Sequence, residues 1–199
     1  MKKIEIIWRE LLFQVIEKHR RQFTQKELAG KFGFSTSTIF QSLKVPRKMG
    51  AVRATGRFFI VEDPEKLLYH WASIRDLKRD ILFAGRVELP VLEIEGRMPE
   101  GVIFGGFSAA RLILKESPAD YDKVYVYINL KSQISNLESR FEFIKGNPNL
   151  FILKADKFME NYGQITTLAQ TFVELWNLPD WYAKEFVKDL KERINELLS

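Results

Sequence analysis

The 199-residue sequence predicts an α+β protein, with a basic helical segment over residues 1–77 followed by a mixed α/β segment over residues 78–199 that ends in helices. Three observations predict it. Apolar residues recur every three or four positions through most of the first 50 residues, the period of amphipathic helices. From Val87 to Ala155, short β-branched and aromatic runs alternate with helical stretches, as in a layered sheet. Charge divides along the chain as well: residues 1–61 hold 13 Lys and Arg against 4 Glu, and the remainder holds 18 against 22.

The composition, 46% hydrophobic and 13% aromatic, supports a sizeable core and argues against disorder. No apolar run reaches the roughly 18 to 20 residues that span a bilayer. The start, MKKIEIIWRELLF, has acids inside its apolar part and no small-residue cleavage site, so a cytoplasmic protein without membrane contact is expected. The absence of cysteine excludes disulfides and thiolate metal sites. His19 and His70 lie far apart and read as ordinary surface or boundary residues, so no metal or cofactor is implied.

In the first element, Ile4, Ile7, Trp8, Leu11, Leu12, Val15 and Ile16 mark one buried face of a helix from Ile4 to His19. Thr24 and Glu27 form a capping box for a second helix, which Gly33 ends in a left-handed conformation. Ser35 caps a third, with Ile39 and Leu43 facing inward. VRATGRFFIV then reads as a hairpin turning at Thr55 and Gly56. Asp63 and Pro64 open a linking helix through Leu67, Leu68 and Trp71.

The second half reads as one or two strands in VELPVLEIE, a strand in GVIFG, a helix in FSAARLIL and a strand in KVYVYINL. A helix after Ser132, a strand in NLFILKA and two helices follow, with Pro179 near the start of the last. That helix carries an apolar stripe of Ala183, Phe186, Val187, Leu190, Ile194 and Leu197, expected to pack within the fold.

Three helices with a tight glycine turn, followed by a hairpin, make the arrangement of a winged helix-turn-helix. TQKELAGKFGFSTSTIFQSL and the exit MGAV resemble that superfamily. Its third helix presents short polar side chains to the major groove, a role that Ser35, Thr36, Ser37, Thr38 and Gln41 suit. Lys44, Arg47 and Lys48, with Arg53 and Arg57 on the wing, are candidates for phosphate contacts. Between Glu27 and Glu62 no acid interrupts this field. Pro46 stands inside the third helix, and its missing amide predicts that the helix stops or kinks near Lys44.

GVIFGGFSAARLIL with Asp120 and Asp122 resembles the opening of nucleotidyltransferase folds, where a Gly-Ser turn holds triphosphate and strand aspartates hold magnesium. Here the aspartates precede the strand and Tyr125 and Tyr127 continue their face. Close packing of Gly105 and Gly106 is the competing reading.

Over nearly its full length the chain resembles the AbiEi-like antitoxin and transcriptional-regulator family of type IV toxin-antitoxin systems. The winged helix, EGRMPEGVIFGGFSAARLI, the YVYI strand and the closing TFVELWNLPDWYAKEFVKDL carry the resemblance. It implies operator binding with autorepression by the N-terminal part and action of the C-terminal part against a nucleotidyltransferase toxin. The expected function is thus a sequence-specific binder of double-stranded DNA and not an enzyme. A homodimer would match a palindromic operator, although no heptad seam is evident. A nucleotidyltransferase with a nucleic-acid-binding arm and a protein-docking adaptor are the alternatives.

Overall fold

A computed structural model describes residues 1–129, 137 and 139–199. The expected helix after Ser132 lies outside the described residues. The protein is α+β. Helix α1 (Lys3–Lys18) leads through strand β1 (Gln22–Phe23) into α2 (Gln25–Phe32) and α3 (Thr36–Lys48). Strands β2 (Val52–Ala54) and β3 (Phe59–Val61) follow, then α4 (Pro64–Ile74). The three short strands form an antiparallel sheet in the order β1-β3-β2.

The local signals act where the sequence places them. Thr24 and Glu27 exchange capping bonds, and the Ser35 hydroxyl accepts from the Thr38 amide at 3.1 Å. Gly33 takes φ 62°, closing α2 against the start of α3 without a side-chain clash. The Asp63 carboxylate caps α4, and Pro64 occupies its first turn.

The second sheet is five-stranded, ordered β5-β6-β8-β4-β7, with β4 Ile81–Val87, β5 Ile103–Gly105, β6 Val124–Ile128, β7 Phe143–Ile144 and β8 Leu150–Lys154. Among the described strand pairs of this sheet, β6 and β8 run parallel and the others antiparallel. Helix α5 (Val91–Gly96) follows β4, and α6 (Gly106–Leu114) follows β5 directly. The chain closes with α7 (Leu168–Trp176) and α8 (Ala183–Leu198), the latter beginning four residues beyond Pro179. The stripe on α8 packs inward as expected, with Phe186, Leu190 and Ile194 buried.

Strand β6 is buried on both faces, and its alternation sorts two cores. Val124, Val126 and Ile128 join a smaller cluster with Ile94 and Ile152, while Tyr125 and Tyr127 point into the larger one. That larger cluster is continuous from Ile6 through Leu77 to Ile194, so the segments divided at residue 77 share one core.

Three expectations are corrected. VELPVLEIE is not strand throughout: Val87 ends β4, and Val91–Gly96 is helical. Pro90, without an amide for a ladder, starts the turn instead, and its carbonyl accepts from Glu93 at 2.9 Å. Helix α1 is not buried on one face alone, since every residue from Glu5 to Leu12 is buried. It packs on α3 and α4 on one side and on α7 and α8 on the other.

The third correction concerns Pro46. Helix α3 neither stops nor breaks at Lys44 but runs to Lys48 with Pro46 inside it. Proline removes the amide that would bond the carbonyl four residues earlier, that of Ser42. The buried Trp8 indole N–H of α1 donates to that carbonyl at 2.8 Å. An indole from another helix thus fills the gap in the ladder. Pro46 itself lies on the inward face, where Ile39, Ser42, Leu43 and Pro46 follow the i, i+3, i+4, i+7 spacing of a buried stripe.

Candidate nucleic-acid interface

The inward stripe of α3 dictates its outward face. Ser35, Thr36, Ser37, Gln41, Lys44, Arg47 and Lys48 are exposed, and Thr38 is half-buried. Ser35 and Thr38 are partly committed, because their hydroxyls bond each other at 2.9 Å while Ser35 caps the helix. Thr36, Ser37 and Gln41 have no side-chain hydrogen bond among the described residues and are free to meet a ligand. Their hydroxyl and amide groups can each donate and accept.

Two apolar side chains share this surface. Phe40 and Val45 are 44% and 47% exposed. Phe40 stands on the outer face with the Arg47 guanidinium over its ring at 5.8 Å. Large apolar residues spaced with cations suit contact with thymine methyl groups as well as with sugar edges.

The hairpin brings more charge to the same side. Its turn is closed by Thr55, whose hydroxyl donates to the Phe58 carbonyl at 2.6 Å and accepts from the Phe58 amide at 3.1 Å. Arg57 projects from that turn and is exposed. A cleft of about 330 Å³ lies between the start of α2, the face of α3 and the hairpin, and Lys26, Thr36, Arg47 and Arg57 all line it. Sequence reasoning omitted Lys26, which immediately precedes Glu27, the acid that bounds the acid-free interval.

The predicted cations are not equivalent. Lys44, Arg47, Lys48, Arg57 and also Lys26 have no carboxylate partner among the described residues. Arg53 is instead paired with Glu62 at 2.5 Å across the β2–β3 pair, so its charge is partly spent within the hairpin. Lys31, inside the acid-free stretch of sequence, bonds Glu10 of α1 at 2.5 Å and drops out of the field. What remains is a compact set of solvated cations around short polar side chains. Arg47 and Lys48 also occupy the last turn of α3, where the helix dipole favours positive charge.

Asp120 and Asp122 stand elsewhere. Asp120 is exposed, and Asp122 accepts a 2.5 Å hydrogen bond from the Tyr182 hydroxyl. No group of three or more His, Cys, Asp or Glu among the described residues could hold a metal ion. The Gly105-Gly106 turn faces the interior. A Cβ on Gly105 would lie 2.9 Å from both the Glu174 carboxylate and the Tyr127 ring, and the Gly106 amide donates to Glu174 at 3.0 Å. Glycine is needed there for close approach.

That contact belongs to a buried polar chain that sequence reasoning missed. Arg9 of α1 holds Asp156 through two bonds of 2.7 and 2.8 Å and reaches Gln170 at 3.3 Å. Gln170 donates to Glu174, which also accepts from the Tyr127 hydroxyl at 2.5 Å. Arg75 continues to Tyr127, Glu5 and Asp80, and Asp80 accepts from the N-terminal ammonium of Met1 at 2.8 Å. Burial pulls the Arg75 guanidinium down, but the charges of Tyr127, Glu174, Asp80 and Glu5 outweigh it, and its pKa is raised. Burial pushes the Glu174 carboxyl up, against Arg75 and its hydrogen-bond donors. The only sequence signal was the placement of Glu5 and Arg9 one turn apart beside the apolar stripe of α1.

Comparison with known protein families, curated proteins and solved structures finds no match for this chain. No helix among the described residues is long and apolar enough to cross a membrane.

Proposed function

We propose that the protein is a sequence-specific regulator that binds double-stranded DNA through a winged helix-turn-helix formed by α1 to β3. The observation that carries this reading is the outer face of α3. Polar side chains occupy its first two turns, and Lys44, Arg47 and Lys48 follow, without a carboxylate partner among the described residues, with Arg57 beside them on the hairpin. Thr36, Ser37 and Gln41 would face base edges, Gln41 being able to pair bidentately with adenine. The cations would position the helix by bonding phosphates. Because α3 continues to Lys48, Arg47 and Lys48 share a rigid element with Gln41 instead of sitting on a separate turn.

The resemblance stated above extends the proposal to an autorepressing antitoxin, whose C-terminal half counteracts a nucleotidyltransferase toxin. A gene for such an enzyme beside this one supports that extension, and a chain that fails to relieve that enzyme's toxicity removes it. DNA binding is tested by measuring duplex affinity against salt, using DNA from upstream of the gene. With four or five free cations on phosphates, the log-log slope is expected at about −3 to −5. Binding that ignores salt, or no retention of any duplex at low salt, overturns the reading and favours a protein-docking role.

A further inference from the structure

The buried polar chain passes through Arg75, and Arg75 also lines a cleft that the proposed interface does not use. This cleft, about 350 Å³, opens where residues 75–81 meet the sheet and the segment after α7. Such a volume suits a small molecule, and the walls decide which kind. Leu77, Ile81, Leu178 and Pro179 supply apolar sides. The rings of Tyr125 and Phe151 stack within 8° of parallel with centroids 4.6 Å apart, forming a flat aromatic wall of which Phe151 is the half-buried, reachable member.

Charge on the lining is one-sided. Arg75, Lys78 and Lys123 stand against the single carboxylate of Asp76. Lys123 is engaged by Asp180, whereas Lys78 is exposed and has no partner among the described residues. Arg75 is the unusual member. Its side chain is only 2% exposed, and its Nη atoms are taken by Glu5, Asp80 and Tyr127, yet its Nε has no hydrogen-bond partner among the described residues. That Nε is closed off from solvent as well, so it costs the fold about 1 to 3 kcal/mol and lies out of a ligand's reach. The Tyr125 hydroxyl likewise has no hydrogen-bond partner among the described residues.

We propose that this cleft binds a small flat aromatic carboxylate, with its ring against Phe151 and its carboxylate met by Lys78 and the Tyr125 hydroxyl. The apolar walls and stacked rings favour a planar hydrocarbon body over a sugar or a flexible chain. A solvated ammonium and a hydroxyl favour an anionic head over a neutral one. Glu5 and Asp80 already balance the charge of Arg75, so the solvated Lys78 supplies most of the preference for an anion.

Isothermal titration calorimetry of the full chain with 2-naphthoate tests this, with the neutral 2-naphthamide as the control. Saturable binding of 2-naphthoate is expected in the range of about 0.1 to 1 mM, with the amide about tenfold weaker. Lys78→Glu, at an exposed position, should weaken 2-naphthoate about fivefold or more, and Leu178→Trp should abolish binding by filling the cleft. Circular dichroism establishes that both variants fold. Absence of saturable binding up to about 5 mM, equal affinity for acid and amide, or unchanged affinity in either folded variant overturns the proposal. No DNA enters the experiment, so its outcome is independent of the function proposed above.

Discussion

Arg47 and Arg57 stand in solvent on α3 and the hairpin turn with no carboxylate partner among the described residues, whereas Arg9 and Arg75 are enclosed between α1, the sheet and α7 and are bonded to acids. The same side chain is put to opposite uses. Taking a guanidinium out of water costs several kcal/mol, which only close, well-aligned carboxylates offset. Arg9 meets that condition through its two bonds to Asp156, and it is thereby committed to the fold. An exposed guanidinium keeps its hydration and contributes little to stability, which leaves it available to a partner. A positive surface that serves recognition should therefore be rich in cations with nothing to hold, and α3 is.

The contrast is broken most forcefully from the buried side. Arg9→Met leaves Asp156 without its cationic partner, with only the Phe158 amide still donating to it, and a loss of about 3 to 5 kcal/mol is expected in urea unfolding. Adding Asp156→Leu should recover part of it, because the uncompensated charge goes too. The outer face should respond in the other currency. Reversing Arg47 and Lys48 to Glu together should weaken every duplex about 100-fold or more with stability nearly unchanged, and Gln41→Ala should mainly relax base preference. If Gln41→Ala weakens all duplexes alike and the charge reversal alters preference, the placement of α3 in the groove is wrong.

Between these extremes lies the joint of the two regions. Trp8→Phe removes the donor to the Ser42 carbonyl and should cost about 1 to 3 kcal/mol in the same unfolding measurement. Adding Pro46→Ala restores a backbone amide to that carbonyl and should recover part of the loss. The smallest effect concerns His70, which packs edge-on against Trp8 with ring centroids 5.0 Å apart. Burial lowers its pKa below the ordinary histidine value, so the unfolded chain takes up a proton more readily than the folded one. Its contribution is present above the unfolded pKa and is lost as pH falls through the folded one. Between about pH 7 and 5, His70→Asn should flatten the decline in stability slightly relative to the wild type.

The N-terminal elements were legible because their signals are local. Thr24, Gly33, Ser35 and Asp63 each act within four residues of themselves, and the structure places each cap and turn there. The exposure of Gln41, Lys44, Arg47 and Lys48 followed from the inward stripe alone. Pro46 misled for the opposite reason, since the group that satisfies Ser42 lies 34 residues earlier. The pairing of Lys31 with Glu10 and the bond of Arg9 to Asp156, 147 residues away, depend on how helices meet and leave no trace in spacing. Helix α5 was read as strand because its apolar and acidic residues alternate, although only Ile94 among them is buried.

Helix α3 carries a final consequence. Its hydrogen-bond ladder is completed by an indole that belongs to α1, so the segment from Thr36 to Lys48 does not contain everything its own shape requires. Cut out as a peptide, it would hold its first two turns at best and fray from Ser42 onward. Grafted onto another scaffold, the same letters would lay Arg47 and Lys48 along a different direction unless a donor were built opposite residue 42. Helix α3 is therefore not portable, and any relative that keeps a proline at this place should be expected to keep the tryptophan as its companion.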